Sequence, residues 1–350
     1  MNLGVSEFWI GLLLDGGYKV LTWVIAVMLP PMAIFFPLFT ILEDLGVLPR
    51  IAFNMDGVLK RCGACGKQSL TMCMGFGCNA CGVTGARIID SPRERLLAIL
   101  TNSFVPCNGR FPTIIAIITM FLATVSSRAS IFTGVLIFCV VIFIGVGMTL
   151  VVSGLLSKTI LKGEQSSFVL ELPPYRKPKF GEVVIRSVFD RTLHVLLRAV
   201  IVALPAGMVI WILSNFQIAG SSILTYCTNF LNPFAQLIGL DGVILMAFVL
   251  GFPANEIVLP IALMLYNSSG VLVESVDLMQ TKEILILNGW TIKTAICTIL
   301  FSLMHWPCST TCLTIYKETK SIKWTVLAIM IPTICGVIVC GIVNLISLVI

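Results

Sequence analysis

The chain has 350 residues, of which 23 are Lys or Arg and 17 are Asp or Glu, so charged residues make up 11%. Soluble globular chains carry about 25% charged residues. With 57% hydrophobic residues and a mean hydropathy of +1.01, the composition excludes a water-soluble domain and predicts an integral membrane protein.

The first half of the chain alternates apolar runs with a basic connection. Residues 1–19 are predicted to form an interfacial segment, because the run is short and contains acidic residues. Residues 20–156 follow as one unit with four membrane elements. These are a span at 20–42, a re-entrant hairpin at 70–84, a broken span at 96–124 and a span at 131–156.

The second half repeats this order after a basic loop at 157–193, which is predicted to be cytoplasmic by the positive-inside rule. Reading 237–266 as a hairpin rather than a full span places the basic turn around Lys317 inside as well. The net charge of +6 is then explained by topology, and nucleic acid is not needed. Residues 194–350 contain a span at 194–215, a re-entrant hairpin at 237–266, a broken span at 290–316 and a span at 324–349.

Two motifs occur once in each half and in the same order. Residues 75–80 resemble 251–256, and residues 106–110 resemble 307–311. The loop charges give the two halves opposite orientations. The sequence therefore predicts an all-α polytopic membrane protein with about six spanning helices and two re-entrant hairpins, arranged as an inverted repeat with broken helices at the midplane.

Polar residues collect at the four predicted breaks. Ionisable groups deep in a membrane are costly and mark a pathway, and thiolate with imidazole suits borderline ions such as Fe, Zn and Ni. Cys is also a common packing residue, which remains the alternative. The predicted metal ligands are Cys78, Cys107, Cys308 and Glu256. The predicted pathway-lining residues are Asn79, Asn108, Arg110, Asn255, His305, Ser309 and Thr310.

A Cys-x-x-Cys pair precedes the first hairpin. Cys62 and Cys65 are candidates for an accessory metal or redox site, although their spacing to the next pair argues against a closed zinc site. Residues 61–69 have a superficial similarity to a phosphate-binding loop. They fail its pattern, because Arg61 stands at a required Gly and Gln68 at a required Ser or Thr. The sequence shows no nucleotide-hydrolysing motif, and the chain is predicted not to be an enzyme.

Several longer motifs closely resemble the membrane domain of the ferrous iron transport protein B family. They lie at residues 42–46, 74–79, 90–96, 106–112, 171–176, 305–308 and 317–319. The resemblance implies Fe²⁺ uptake through two gate regions in a bacterial inner membrane, with Fe²⁺ as the transported ion and no tightly bound cofactor. It also implies that Cys78, Cys107 and Cys308 are pore cysteines. Glu256 and Glu318 also stand in motifs that resemble those of the family.

Family members normally begin with a cytoplasmic GTP-binding domain, which these 350 residues do not contain. The chain is therefore interpreted as a natural paralogue without that domain or as a fragment, and a separate GTP-binding domain or small accessory protein is an expected partner. Besides membrane lipid, a homo-oligomer is a further expectation. The alternatives are transport of another divalent metal, transport of an organic solute such as a nucleoside, and a non-transporting subunit that docks a separate GTPase.

Overall fold

The computed structural model describes residues 7–123, 128–163, 181, 192–218, 221–267 and 278–349. These residues are almost entirely helical, and the two short strands among them, Gln217–Ile218 and Ser221–Ser222, pair antiparallel. Most of the predicted basic loop 157–193 lies outside the described residues.

Among the described residues of the first half, eight α-helices alternate with short 3₁₀ and π-helical segments. The segment Glu7–Ile10 runs through a π-helix into α2, so that Phe8–Asp44 forms one long apolar helix. The elements are α1 (Glu7–Ile10), the π-helix Gly11–Tyr18, α2 (Lys19–Asp44), α3 (Val47–Arg61), α4 (Gln68–Gly77), α5 (Asn79–Gly85), the 3₁₀ turn Ala86–Ile88, α6 (Pro92–Thr101), the 3₁₀ turn Asn102–Phe104, α7 (Phe111–Ile117), the π-turn Ile118–Leu122 and α8 (Arg128–Lys158).

The second half has a similar order of long and short helices. Polar side chains begin several of them: Asp241 Oδ1 accepts a hydrogen bond from Ile244 N at 2.7 Å, as expected for a helix N-cap. The elements are α9 (Leu193–Asn215), α10 (Ile223–Leu237), α11 (Gly242–Leu250), the 3₁₀ turn Asn255–Ile257, α12 (Val258–Tyr266), α13 (Leu278–Leu287), α14 (Ile292–Met304), α15 (Ser309–Thr319) and α16 (Ile322–Val349).

Four described helices are long and apolar enough to cross a membrane: Phe8–Asp44, Ile131–Lys158, Ile292–Thr319 and Ile322–Ser347. A fifth span results if α10 and α11, which meet at 110°, are taken together. These helices confirm the prediction of an all-α polytopic membrane protein. The span predicted at 96–124 contains the shorter apolar helix Phe111–Leu122, and the span predicted at 194–215 coincides with α9, Leu193–Asn215.

The broken helix Ile292–Thr319 lies inside the molecule. Its most apolar stretch is 72% buried by protein, against 22% for Ile131–Lys158 and for Ile322–Ser347. Unwound backbone in a bilayer survives only inside protein or beside a water-filled cavity, because lipid cannot satisfy its N–H and C=O groups. The unbroken helices therefore form the periphery, and the broken helix occupies the core.

Two pairs of short helices are interrupted at equivalent positions of the repeated motif. α4 and α5 meet at Cys78, which has an extended backbone with φ −154° and ψ 126°. In the second half Ala254 has φ −154° and ψ 117°, just before the turn that leads into α12. Each extended residue is followed by an asparagine, Asn79 or Asn255. Both predicted hairpins therefore break at the same point of the motif.

Two longer helices are broken next to a Pro-Cys pair. After α6 and its 3₁₀ turn, residues 105–110 are non-helical and the helix resumes at Phe111. α14 ends at Met304, and α15 begins at Ser309 with Cys308 as its N-cap. Both breaks occur where the sequence predicts them. The opposite orientation of the two halves in the membrane stays a prediction.

Candidate functional site

A small cavity lies where the four breaks meet. It offers about 20 Å³ to the centre of a water molecule, and a single water needs about 10–15 Å³ by the same measure. The cavity therefore has room for one ion or one water molecule. Its lining comes from both halves of the chain and from α2 and α9: Met28, Met32, Gly77, Cys78, Asn79, Cys107, Asn108, Gly109, Ala199, Pro253, Ala254, Asn255, Glu256, Cys308 and Thr310.

Three thiols reach this cavity from three different elements. Cys78 separates α4 from α5, Cys107 lies in the unwound segment before α7, and Cys308 caps α15. Cys78 and Cys107 are buried, each with an exposed fraction of 7%. Cys308 is partly buried, and its Sγ lies 3.2 Å from Thr311 Oγ1. The fold thus brings together the three cysteines that the sequence singles out, and all three are free thiols.

Glu256 contributes a carboxylate to the same cavity. Its exposed fraction is 3%, and neither Oε1 nor Oε2 has a hydrogen-bond partner among the described residues. A Cβ atom on Gly109 would stand 2.8 Å from Glu256 Oε2, so the glycine lets the carboxylate approach the unwound segment. A buried carboxylate without a partner is costly, and a cation in the cavity would offset that cost.

The four predicted ligands do not form a closed coordination shell. Within the described part of the chain, no three His, Cys, Asp or Glu side chains stand close enough together to hold a metal ion. Cys78, Cys107, Cys308 and Glu256 instead occupy different parts of the wall of one cavity. The arrangement offers several donors to a visiting ion and does not form a preassembled metal centre.

Amides and a hydroxyl complete the polar lining. With its nitrogen turned toward the backbone, the Asn79 side chain donates to Val105 O at 3.1 Å and to Gly75 O at 3.2 Å. Asn102 Nδ2 donates to the backbone oxygen of Asn79 at 2.9 Å. These bonds tie the first hairpin to the first broken helix. The polar lining residues other than the thiols and the carboxylate are Asn79, Asn108, Asn255 and Thr310.

Arg110, which the sequence places on the pathway, does not line this cavity. It is completely buried, and its guanidinium points at backbone carbonyls. Nη1 donates to Ser103 O at 2.7 Å and to Leu303 O at 2.8 Å, and Nη2 donates to His305 O at 3.2 Å and to Trp306 O at 3.4 Å. Because these carbonyls flank the breaks of both long helices, Arg110 joins one break to the other.

His305 also lies outside the cavity lining. Its Nδ1 is 2.8 Å from Ser302 O and its Nε2 is 3.3 Å from Asn255 Oδ1. The ring centroid lies 4.9 Å from that of Phe248 and 6.1 Å from that of Phe301. His305 therefore contacts the cavity through Asn255, which does line it.

Ser309 secures the second hairpin and does not face the cavity. Its backbone N–H donates to Phe252 O at 2.8 Å, and its Oγ donates to Pro253 O at 3.2 Å. These two carbonyls belong to the bend between α11 and α12, where no helical donor satisfies them. The start of α15 is thereby fixed to the second hairpin.

The Cys62 and Cys65 pair lies in the turn between α3 and α4, away from the cavity. Cys62 is partly buried, whereas Cys65 is 3% exposed. Burial, followed by the nearby Glu94 carboxylate, raises the pKa of Cys65 to about 12. A thiol with so high a pKa is a poor nucleophile at neutral pH, so an accessory redox or metal role for the pair stays a prediction.

Sequence reasoning missed two sulfur-bearing residues of the cavity, Met28 and Met32 of α2. They are one helical turn apart, next to Pro30 and Pro31. An apolar span with interspersed Met carries no signal of its own. Only the convergence of α2 with the breaks shows that these side chains face a polar cavity.

Helices that break around one ion-sized, thiol-lined cavity, together with several apolar helices long enough to cross a membrane, define an all-α polytopic membrane protein with a polar cavity in its core. Residues 25–121 and 196–322 match the gate family described as nucleoside recognition, and residues 138–190 match the C terminus of ferrous iron transport protein B. The chain belongs to this gate family, and its match to the C terminus of ferrous iron transport protein B is a second, shorter similarity.

Curated relatives carry the name Fe(2+) transporter FeoB. That of Staphylococcus aureus strain MSSA476 is 30% identical over 342 residues, which cover 95% of this chain and 48% of the relative. That of Methanocaldococcus jannaschii is 28% identical over 357 residues, with shares of 98% and 51%. The chain thus spans about half the length of the curated relatives it matches. No solved structure matches it.

Proposed function

We propose that this chain conducts Fe²⁺ across the cell membrane, into the cytoplasm, through the cavity between the four breaks. The observation that carries the proposal is the cavity itself, which has room for one ion. It is lined by three thiols and by the carboxylate of Glu256, which has no hydrogen-bond partner in the described part of the chain. The names of the curated relatives point to the same ion.

The donor set suits an ion that must enter and leave. Thiol sulfur favours borderline and soft ions over Mg²⁺ and Ca²⁺. One carboxylate adds negative charge, but the site does not become an oxygen-only site of the kind that Mg²⁺ and Ca²⁺ prefer. Conduction needs binding strong enough to replace hydration and weak enough for release. Donors that share a cavity wall without enclosing it meet both requirements.

Movement of the hairpins supplies access from the two sides. Each hairpin carries cavity residues directly beside its extended residue, Cys78 or Ala254, where the helix has no continuous hydrogen-bond ladder. A small rotation at either point displaces Asn79 or Glu256 from the cavity. The two long helices are held together by Arg110 and form the fixed side of the path.

The second candidate cargo is a nucleoside, as the description of the gate family suggests. Pockets for organic ligands of that size are about 300–1,000 Å³, whereas this cavity has room for one water-sized group. The size of the cavity favours an ion. Another divalent metal is compatible with the same donors, and inhibition of Fe²⁺ uptake by that metal would show whether it uses the same cavity.

The proposal is tested with the protein in anaerobic proteoliposomes loaded with an Fe²⁺-quenched fluorophore. We expect uptake of Fe²⁺ that a membrane-impermeant iron chelator abolishes and that adenosine or uridine does not inhibit. Uptake of labelled nucleoside that is insensitive to the chelator would favour the second candidate. Protein that incorporates fully and passes neither solute would support a non-transporting subunit.

We further propose that these residues do not hydrolyse nucleotide and hold no resident cofactor, Fe²⁺ being the cargo. The basic loop 157–193 is the expected docking segment for a GTP-binding domain or small accessory protein, and the chain is expected to assemble with copies of itself. Co-purification of the protein with a GTP-binding domain, lost on substitution of basic residues in that loop, is the measurement that checks the partner.

A further inference from the structure

The cavity has sulfur donors besides its thiols. Met28 and Met32 of α2 line it together with Cys78. We propose that these two methionines supply thioether ligands that make the pathway selective for soft and borderline ions over hard divalent ions. The proposal rests on the proposed function, since it concerns how the same cavity distinguishes Fe²⁺ from its competitors.

The geometry places both side chains on one face of α2. Residues four apart in a helix lie one above the other on the same side. Met32 has an exposed fraction of 2% and is buried with Phe36 and Cys78, and Met28 packs against the same cluster. One thioether is therefore next to one of the three thiols, and the second lies one turn away along the cavity.

α2 is suited to present these groups because it contains three prolines, Pro30, Pro31 and Pro37. Proline removes a helical N–H donor and disturbs the turn before it. Two of these prolines lie between Met28 and Met32. The segment that carries the thioethers remains helical through these prolines and lines the cavity beside the breaks.

Thioether sulfur differs chemically from the other donors of the cavity. It carries no charge and no proton at any accessible pH, so it adds affinity for a soft ion without adding electrostatic affinity for every cation. Carboxylate and amide oxygens, by contrast, suit Mg²⁺ and Mn²⁺ as well as Fe²⁺. The two methionines would therefore raise the affinity of the cavity for Fe²⁺ relative to its affinity for Mg²⁺ and Mn²⁺.

A role in packing alone makes a different prediction. Met is an adaptable filler of irregular apolar gaps, and Leu substitutes for it with little loss because the volumes are similar. If Met28 and Met32 only fill space, then Leu at both positions preserves the affinity for every ion. If they are ligands, Leu removes the affinity for Fe²⁺ selectively.

The experiment compares Fe²⁺ and Mn²⁺ binding by calorimetry under anaerobic conditions, using the protein in nanodiscs. For the Met28→Leu/Met32→Leu variant we expect Fe²⁺ binding to weaken by about tenfold, at least the usual effect of losing a supporting group of a metal site, with Mn²⁺ binding unchanged. The matched control is Met264→Leu/Met304→Leu, because these residues are 2% and 1% exposed but do not line the cavity. We expect the control to bind both ions as the parent does.

An Fe²⁺-to-Mn²⁺ affinity ratio equal to that of the control would overturn the thioether proposal. If the parent still takes up Fe²⁺ in that case, the proposed function stands without it. A parent that neither binds nor transports Fe²⁺ overturns both. Should the double variant fail to fold, the Met28→Leu variant alone carries the same test, because Met28 is the less buried of the two.

Discussion

Replacement of Arg110 by methionine tests whether this residue joins the two breaks or serves the ion path. The variant loses the two short hydrogen bonds, to Ser103 O and Leu303 O, and the two longer ones to His305 O and Trp306 O. A buried carbonyl left without a donor costs about 1–3 kcal/mol, so the two short bonds alone correspond to about 2–6 kcal/mol. Removing a buried charge relieves its desolvation, which places the expected loss near the lower end, at about 2–3 kcal/mol.

The assay is equilibrium unfolding of the detergent-solubilised protein, run beside Fe²⁺ uptake. Arg95→Met is the matched control, because Arg95 donates twice to Ile89 O while partly exposed, at 2.9 and 3.0 Å. Water can replace those bonds, so we expect a loss below about 1 kcal/mol. An Arg110→Met variant that is as stable as the parent but takes up no Fe²⁺ would refute the structural role. It would support the sequence-based prediction that Arg110 acts in the ion pathway.

Two further substitutions test other contacts of the gate. Gly109→Ala should reduce Fe²⁺ uptake several-fold, because its Cβ would displace the Glu256 carboxylate. The control is Gly147→Ala, whose Cβ would meet no described atom within 4 Å and should leave uptake unchanged. Equal uptake rates of the two variants in proteoliposomes would contradict the assigned place of Glu256. Glu318→Gln should lower stability by about 0.2–1 kcal/mol, since its two-point pairing with Arg87 at 2.6 and 2.8 Å involves an arginine side chain that is 67% exposed. Unfolding at low and high salt checks this, and a loss that persists unchanged at high salt would contradict it.

The positions of the breaks could be predicted from the sequence because they depend on local chemistry. The Pro-Cys pairs before Asn108 and Ser309 interrupt otherwise apolar runs, and the two related motifs around Cys78 and Ala254 predict matching interruptions. Since unwound backbone must be shielded from lipid, those four segments are also expected to meet. The thiols and Glu256 line the wall of one cavity at the breaks.

The partners of the buried basic residues could not be predicted in the same way. Arg110 and His305 contact backbone carbonyls that lack a helical donor because the helices break there. Which carbonyls face the two side chains depends on how the two halves pack. Met28 and Met32 could not be predicted as cavity residues, because the sequence of an apolar span does not show which face of the helix meets the cavity. The predicted span at 96–124 is built from the shorter helices α6 and α7, because residues 105–110 between them are unwound.

If an ion passes the thiols at the breaks, the initial rate of anaerobic Fe²⁺ uptake depends on those thiols. The variants are Cys107→Ala and Cys308→Ala, with Cys139→Ala as control because Cys139 is an exposed free thiol of α8 that does not line the cavity. We expect rates reduced several-fold in the first two variants and unchanged in the control. Parental rates in both cavity variants, at equal protein incorporation, would contradict the claim.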